Sequence, residues 1–250
     1  MIRFAVVQHT YSEYLGLIEQ QLERRNIAFY YFRPFIGQAL PAPGVAVGQY
    51  DALFLLGGKV PLTDRAAVPW LDEELALIER FRRAGRPIVG IGFGGLLVAV
   101  AAGAVPLAEP RFRAVWTIGR ATAVGRDDPL AQAVDGRALP VLVSGGAQLP
   151  AGLTPIVVDE AGDWLAIRPD PYTYGLLFRP EIKPGIIEDM IMEAGREMPE
   201  EIDGLLAQAR TQWSVWQQTA ERVLVALVEA LDLMTERRKP SIIPIEVLDR

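Results

Sequence analysis

The sequence contains no cysteine and only one histidine, His9, in 250 residues. The first absence removes disulfides, thiolate nucleophiles and zinc–thiolate sites together. The second excludes multi-histidine metal centres and most Ser-His-Asp arrangements, so neither a metal nor a cofactor is expected. Positive charge is not in surplus either. Against 25 Lys and Arg stand 31 Asp and Glu, a net charge of -6, which argues against a nucleic acid or an anionic membrane as partner. No apolar run is long enough to span a bilayer, and the N-terminal stretch Met1–Gln8 is too brief for a signal peptide. A soluble, cytoplasmic protein is the expectation. Half of the residues are apolar, enough for one large α/β domain with or without an appendage.

Continuous apolar runs at Ile2–Val7, Ala28–Phe32, Ala52–Leu56 and Pro87–Ile91 read as strands of a mostly parallel sheet. Amphipathic segments from Ser12 or Glu13 to Arg25 and from Trp70 to Ala84 read as helices. The second carries Asp72, Glu73 and Glu74 in its first turn, where they favour the helix dipole. Residues Pro34–Gly48 read as a loop. From Val115 the helical pattern stops, and short runs at Val115–Val124, Leu139–Val143, Thr154–Val158, Trp164–Ile167 and Tyr174–Phe178 predict further strands. The architecture expected is a doubly wound, three-layer α/β sandwich over residues 1–200. Residues 201–250 form a C-terminal extension packed on the domain or on a partner. In it, Ala209, Trp213, Trp216, Ala220, Val223, Leu227, Ala230 and Met234 form a helical seam at steps of four and three. The seam faces either its own sheet or another subunit, and the apolar tail Pro240–Arg250 docks on one of the two.

The stretch Pro87-Ile88-Val89-Gly90-Ile91-Gly92-Phe93-Gly94-Gly95 predicts a strand, a sharp turn and a wholly apolar helix over Leu96–Ala102. That is the layout of a nucleophile elbow, in which the apex side chain attacks and neighbouring N–H groups hold an oxyanion. The apex here is Gly92, which has nothing to attack with.

Four segments in order resemble the class I glutamine amidotransferases of the triad type, near the stand-alone relatives of the GMP-synthase amidotransferase domain. They are Tyr50–Gly58, Pro69-Trp70-Leu71, Pro87–Gly95 and Tyr174–Glu181, so the likeness runs from the N-terminal strand to about Glu181. The resemblance implies an elbow of pattern G-x-C-x-G-x-Q and a later motif Q-F-H-P-E. In these the cysteine attacks the glutamine amide, the histidine is the base and the glutamate orients the histidine. On this sequence the cysteine falls on Gly92, the elbow glutamine on Leu96, the second glutamine on Leu177 and the histidine on Arg179. Only Glu181 remains. A guanidinium stays protonated near neutrality and cannot replace the base. The His-Gly-Asp usual in the family gives way to Ser144-Gly145-Gly146, before Leu149-Pro150.

The expectation is therefore a catalytically inactive relative, a scaffold or regulatory subunit, whose protein partner or second copy contacts the long helix through Trp213, Trp216, Val223 and Leu227 and the tail. The alternative is a small-molecule module in which Gly57, Gly58, Phe93 and Arg179 hold an anion at the old oxyanion site. Arg179 either does this or pairs with Glu181. Lys59 either adds positive charge beside the pocket or is a solvated loop residue. His9 lies at the functional edge with no partner the sequence identifies, and Ser144 reads as a turn residue. An enzyme of altered chemistry on Glu181 would need a second catalytic group, which the sequence does not supply.

Overall fold

The apolar runs become parallel strands: β1 (Arg3–Val7), β2 (Ala28–Phe32), β3 (Ala52–Leu55) and β4 (Ile88–Ile91). A computed structural model describes residues 1–64, 66–109, 111–195, 199 and 201–238. β1, β3 and β4 are buried throughout, apart from Arg3 at the start of β1, as expected of strands covered on both faces. The described strands continue through β5 (Val105–Pro106), β6 (Phe112–Ile118), β7 (Arg120–Ala121), β8 (Ala138–Ser144), β9 (Ala147–Gln148), β10 (Val157–Val158), β11 (Trp164–Asp170) and β12 (Thr173–Leu176). The main sheet runs β2-β1-β3-β4-β12-β11-β10-β7. It is parallel from β2 to β12 and antiparallel beyond. β5 pairs with β9, and β6 with β8, as two small antiparallel ribbons.

The helices are α1 (Leu17–Arg24), α2 (Pro43–Gln49), α3 (Leu71–Arg83), α4 (Phe93–Ala101), α5 (Pro129–Val134), α6 (Pro184–Ala194), α7 (Glu201–Thr211) and α8 (Trp213–Ala230). α3 and α4 pack on β3, β4 and each other, while α8 packs on α1, α5 and α7. The expected mostly parallel sheet flanked by helices is present, with a helical C-terminal extension. No described helix is long and apolar enough to cross a membrane.

Several boundaries differ from the sequence reading. α1 starts at Leu17 rather than at Ser12 or Glu13, because Gly16 (φ +50) breaks the backbone just before it. Pro34–Gly48 is not all loop: Pro43 opens α2 from its first turn, a position where its missing N–H is no loss. α5 lies between two of the expected strands, where the sequence reading had only a turn. Its N-cap Asp128 accepts from the N–H groups of Leu130 and Ala131.

The C-terminal seam is interrupted at Gln212, between α7 and α8. Trp216, Val223 and Leu227 are fully buried within the chain, and Trp213 is half-buried. The Trp216 indole N–H donates to the Ile182 carbonyl (3.0 Å), and its ring meets Trp116 edge-on at 5.6 Å. Trp216, Val223 and Leu227, three of the four expected partner-contact residues, are thus taken up by packing within the chain itself. The apolar tail lies outside the described residues.

Candidate functional site

The carboxyl ends of β1, β3, β4 and β12 meet at one edge of the sheet, the edge where α/β folds bind ligands. His9 follows β1, Gly57 and Gly58 follow β3, Gly92 follows β4, and Arg179 and Glu181 follow β12. Residues far apart in sequence converge there because parallel strands all point the same way.

Gly92 is the apex between β4 and α4, at φ +57 and ψ -114, a conformation glycine adopts without steric cost. A Cβ at this position would stand 3.2 Å from Cδ of Arg179 and 3.5 Å from its Nε and Nη1. Arg179 therefore packs directly against the space into which an elbow side chain projects, in tight contact with where its Cβ would be. Leu96 and Leu177, at the two positions the family gives to glutamine, are buried apolar residues.

Arg179 is 1% exposed and sits between two carboxylates. Its Nε donates to Oε1 of Glu181 at 2.5 Å, and Nη1 donates to Oε1 of Glu13 at 2.8 Å and to the Leu142 carbonyl at 3.1 Å. Gly57 makes room for this contact: a Cβ there would be 2.1 Å from Glu13 Oε1 and 2.6 Å from Arg179 Nη2. Burial works against the Arg179 charge, but Glu181 and Glu13 outweigh it and raise the guanidinium pKa above its ordinary value. For Glu181 the balance is opposite. Burial pushes its carboxyl up despite the pull of Arg179, and its buried Oε2 has no hydrogen bond among the described residues. A proton on Glu181 has its place there.

Of the two sequence readings of Arg179, pairing with Glu181 is the one present, with Glu13 as a second partner; its Nη2 makes no hydrogen bond among the described residues. Gly57 is buried beside the ion pairs. The N–H groups of Gly58 and Phe93 make no hydrogen bond among the described residues.

His9 does have a partner, contrary to the sequence reading. Its Nε2 lies 2.9 Å from Oε1 of Glu74, and its Nδ1 lies 3.1 Å from the Leu56 and Gly57 carbonyls. Acceptors on both sides favour the imidazolium form of the ring, which lies between Trp70 (5.4 Å, stacked) and Phe93 (4.8 Å, edge-on). Burial lowers the histidine pKa, but the Glu74 carboxylate and the Gly57 carbonyl together outweigh it, and the net shift is upward. Glu74 was readable as a first-turn acid of α3. The missed signal is that Leu71, Glu74, Leu77, Ile78 and Phe81 share its buried face, and a carboxylate in an apolar stripe needs a partner.

Above the closed centre lies a cavity of about 210 Å³ whose walls include Thr10, Glu13, Gly58, Lys59, Phe112 and Leu142. A neighbouring cavity of about 220 Å³ shares Lys59 and Ser144 with it. Lys59 is exposed and forms no ion pair among the described residues. Glu193, on the first cavity's wall, accepts from the Tyr11 and Ser12 N–H groups and so ties α6 to the loop after β1.

The fold is that of the class I glutamine amidotransferases. A glutamine amidotransferase from Thermotoga maritima aligns with a TM-score of 0.78 and 20% identity, over 92% of this chain and 98% of that one. A glutamine amidotransferase from Methylobacillus flagellatus aligns with a TM-score of 0.76 and 20% identity, over 92% and 96%. No protein-family model matches the sequence, and no curated protein matches it.

Proposed function

We infer that this chain is a catalytically inactive protein of the amidotransferase fold, acting as a scaffold or regulatory subunit. The observation that carries the reading is the occupation of the elbow by Arg179. Covalent attack on an amide needs a nucleophile at the apex, a base to take its proton and space for the carbonyl carbon. Gly92 offers no nucleophile, and the buried guanidinium takes the space without being able to act as base. Glu181, which in such a site would orient an imidazole, bonds Arg179 instead.

The arrangement is built for order rather than turnover. Each of the buried groups Glu13, Arg179, His9 and Glu74 has a charged partner in hydrogen-bond contact. A chain that has no further use for the chemistry, and keeps the fold, retains its surface for another protein. Release of ammonia from glutamine tests the inactive half of this reading. Affinity capture from the source cell, with native mass measurement of the captured species, tests the other: a strictly monomeric chain with no co-purifying protein would count against it.

The cavity of about 210 Å³ beside Lys59 favours a second reading, a small-molecule module. Its ligand would meet Lys59, the Gly58 backbone, the carboxylates of Glu13 and Glu193 and largely apolar walls rather than Arg179. A thermal-shift screen with amino acids, nucleotides and phosphate tests it. Stabilisation that disappears in Lys59→Ala supports the module, and no response across the panel counts against it.

A further inference from the structure

Glu13 reaches Arg179 from a segment with little else to hold it. Among the described residues, no backbone N–H or C=O of residues 10–13 pairs with another backbone group. The segment has two long-range hydrogen-bonded tethers. On the buried side, Glu13 Oε1 accepts from Arg179 Nη1 at 2.8 Å. On the surface, Glu193 of α6 accepts from the Tyr11 N–H at 3.1 Å, from the Ser12 N–H at 3.0 Å and from the Ser12 hydroxyl. Glu193 is exposed, so water can take over the bonds of this clasp, and such surface segments open more readily than core elements. From Leu15 onward the chain is fixed. Leu15 is fully buried with its N–H on the Tyr31 hydroxyl, and the Leu17 N–H donates to the Glu181 carbonyl. Residues 10–13 are a strap.

Beneath the strap lies a guanidinium with one donor unused. Arg179 Nη2 is buried and has no acceptor among the described residues. A guanidinium grips a carboxylate best through two parallel N–H groups, and Glu13 engages only Nη1, its second oxygen accepting from the Thr10 hydroxyl. Glu13 also forms part of the wall of the cavity of about 210 Å³, with Phe112, Leu142, Val143 and Met190, whereas Arg179 is not on that wall. The Glu13 side chain thus stands between the cavity and Arg179.

We propose that Glu13 is a built-in stand-in for a ligand: when the Glu193 clasp opens, residues 10–13 lift away, and a small monocarboxylate with an apolar body replaces Glu13 on Arg179. The apolar walls of the cavity hold the body, and Nη1 and Nη2 hold the head. A single negative charge is the fit. Glu193 stays on the cavity wall and Glu181 on Arg179 Nε, so a dianion such as phosphate is repelled. The binding is non-covalent and restores no catalysis. It also differs from a ligand that stops at Lys59, which leaves the strap closed.

Butyrate is the probe, with butyramide as its uncharged counterpart. Butyrate is expected to raise the melting temperature of the full chain saturably; butyramide and phosphate are not. The diagnostic signal is amide hydrogen exchange. Butyrate should speed exchange at Tyr11 and Ser12 while it stabilises the protein as a whole. Glu193→Gln weakens the clasp, enlarges the open fraction and should tighten butyrate binding about tenfold. Should that variant fail to fold, Ser12→Ala loosens the same clasp and should act in the same direction. A response seen only in a loosened variant also supports the proposal, with the wild-type strap held shut. Saturable binding that leaves exchange at Tyr11 and Ser12 unchanged or slower puts butyrate in the cavity with Glu13 still on Arg179; it overturns the strap and leaves the cavity reading standing. An equal response to phosphate overturns the proposal, as does no response to butyrate in the wild type and both loosened variants.

Discussion

Gly92 and Arg179 are matched: the side chain of one packs against the bare apex of the other, with Cδ of Arg179 3.2 Å from where a Cβ on residue 92 would be. The pairing means that neither position can be returned to an active pattern without the other. A nucleophile placed at 92 would meet the guanidinium stem. A histidine placed at 179 would leave Glu13 without its cation.

Gly92→Cys alone is expected to release no ammonia from glutamine. It should lower stability by about 1–3 kcal/mol, through positive-φ strain and the Arg179 contact. Chemical denaturation measures the second effect and an ammonia assay the first.

Arg179→Met should be far more damaging, about 3–5 kcal/mol at neutral pH, because it strands Glu13 and Glu181 as buried unpaired carboxylates. The loss should shrink between pH 7 and pH 5, since burial already raises the Glu181 pKa and protonation removes one stranded charge. Adding Glu13→Gln and Glu181→Gln should recover much of the stability. Denaturant midpoints of the single and triple variants across that range are the check.

His9 makes a prediction of opposite origin. Its folded pKa lies above the ordinary 6.5, so its ion pair with Glu74 contributes fully below that value and is lost as pH rises through the folded pKa. Melting temperature should therefore fall on going from pH 6 to alkaline conditions. His9→Gln should flatten that slope and be less stable than wild type at pH 6.

Asp51 anchors the end of the described chain. It is fully buried and accepts from the Arg3 N–H at 2.9 Å, the Arg237 N–H at 2.5 Å and the Arg238 N–H at 3.0 Å. Asp51→Ala leaves these three N–H groups and the Arg238 Nε–H (3.1 Å), four donors in all, without their acceptor and should lower stability by about 2–4 kcal/mol. Trypsin should then cut after Arg237 and Arg238 sooner than in the wild type.

Much of this was legible in the sequence. The strands β1, β3 and β4 and the helix α3 announce themselves as buried apolar runs and an apolar stripe, and the elbow follows from the order Gly90, Gly92, Gly94. Local chemistry was also written where it was missed: Asp128-Pro129 is an N-cap followed by a first-turn proline, and it marks α5. What local pattern does not hold is partnership across the fold. Glu13 and Arg179 are 166 residues apart, and Glu74 lies 65 from His9. Only the shared direction of the parallel strands brings these charges together. The C-terminal seam shows the same limit, because an apolar stripe specifies burial and not the surface that supplies it.

The inactive centre is tested most directly by incubating the purified wild type, at concentrations comparable to substrate, with glutamine and measuring ammonia. An elbow filled by Arg179 predicts no release above the enzyme-free background at any pH at which the protein stays folded. Ammonia accumulating beyond one equivalent, and abolished in a variant of this centre such as Glu181→Gln, whose side chain bonds only Arg179, would contradict the account.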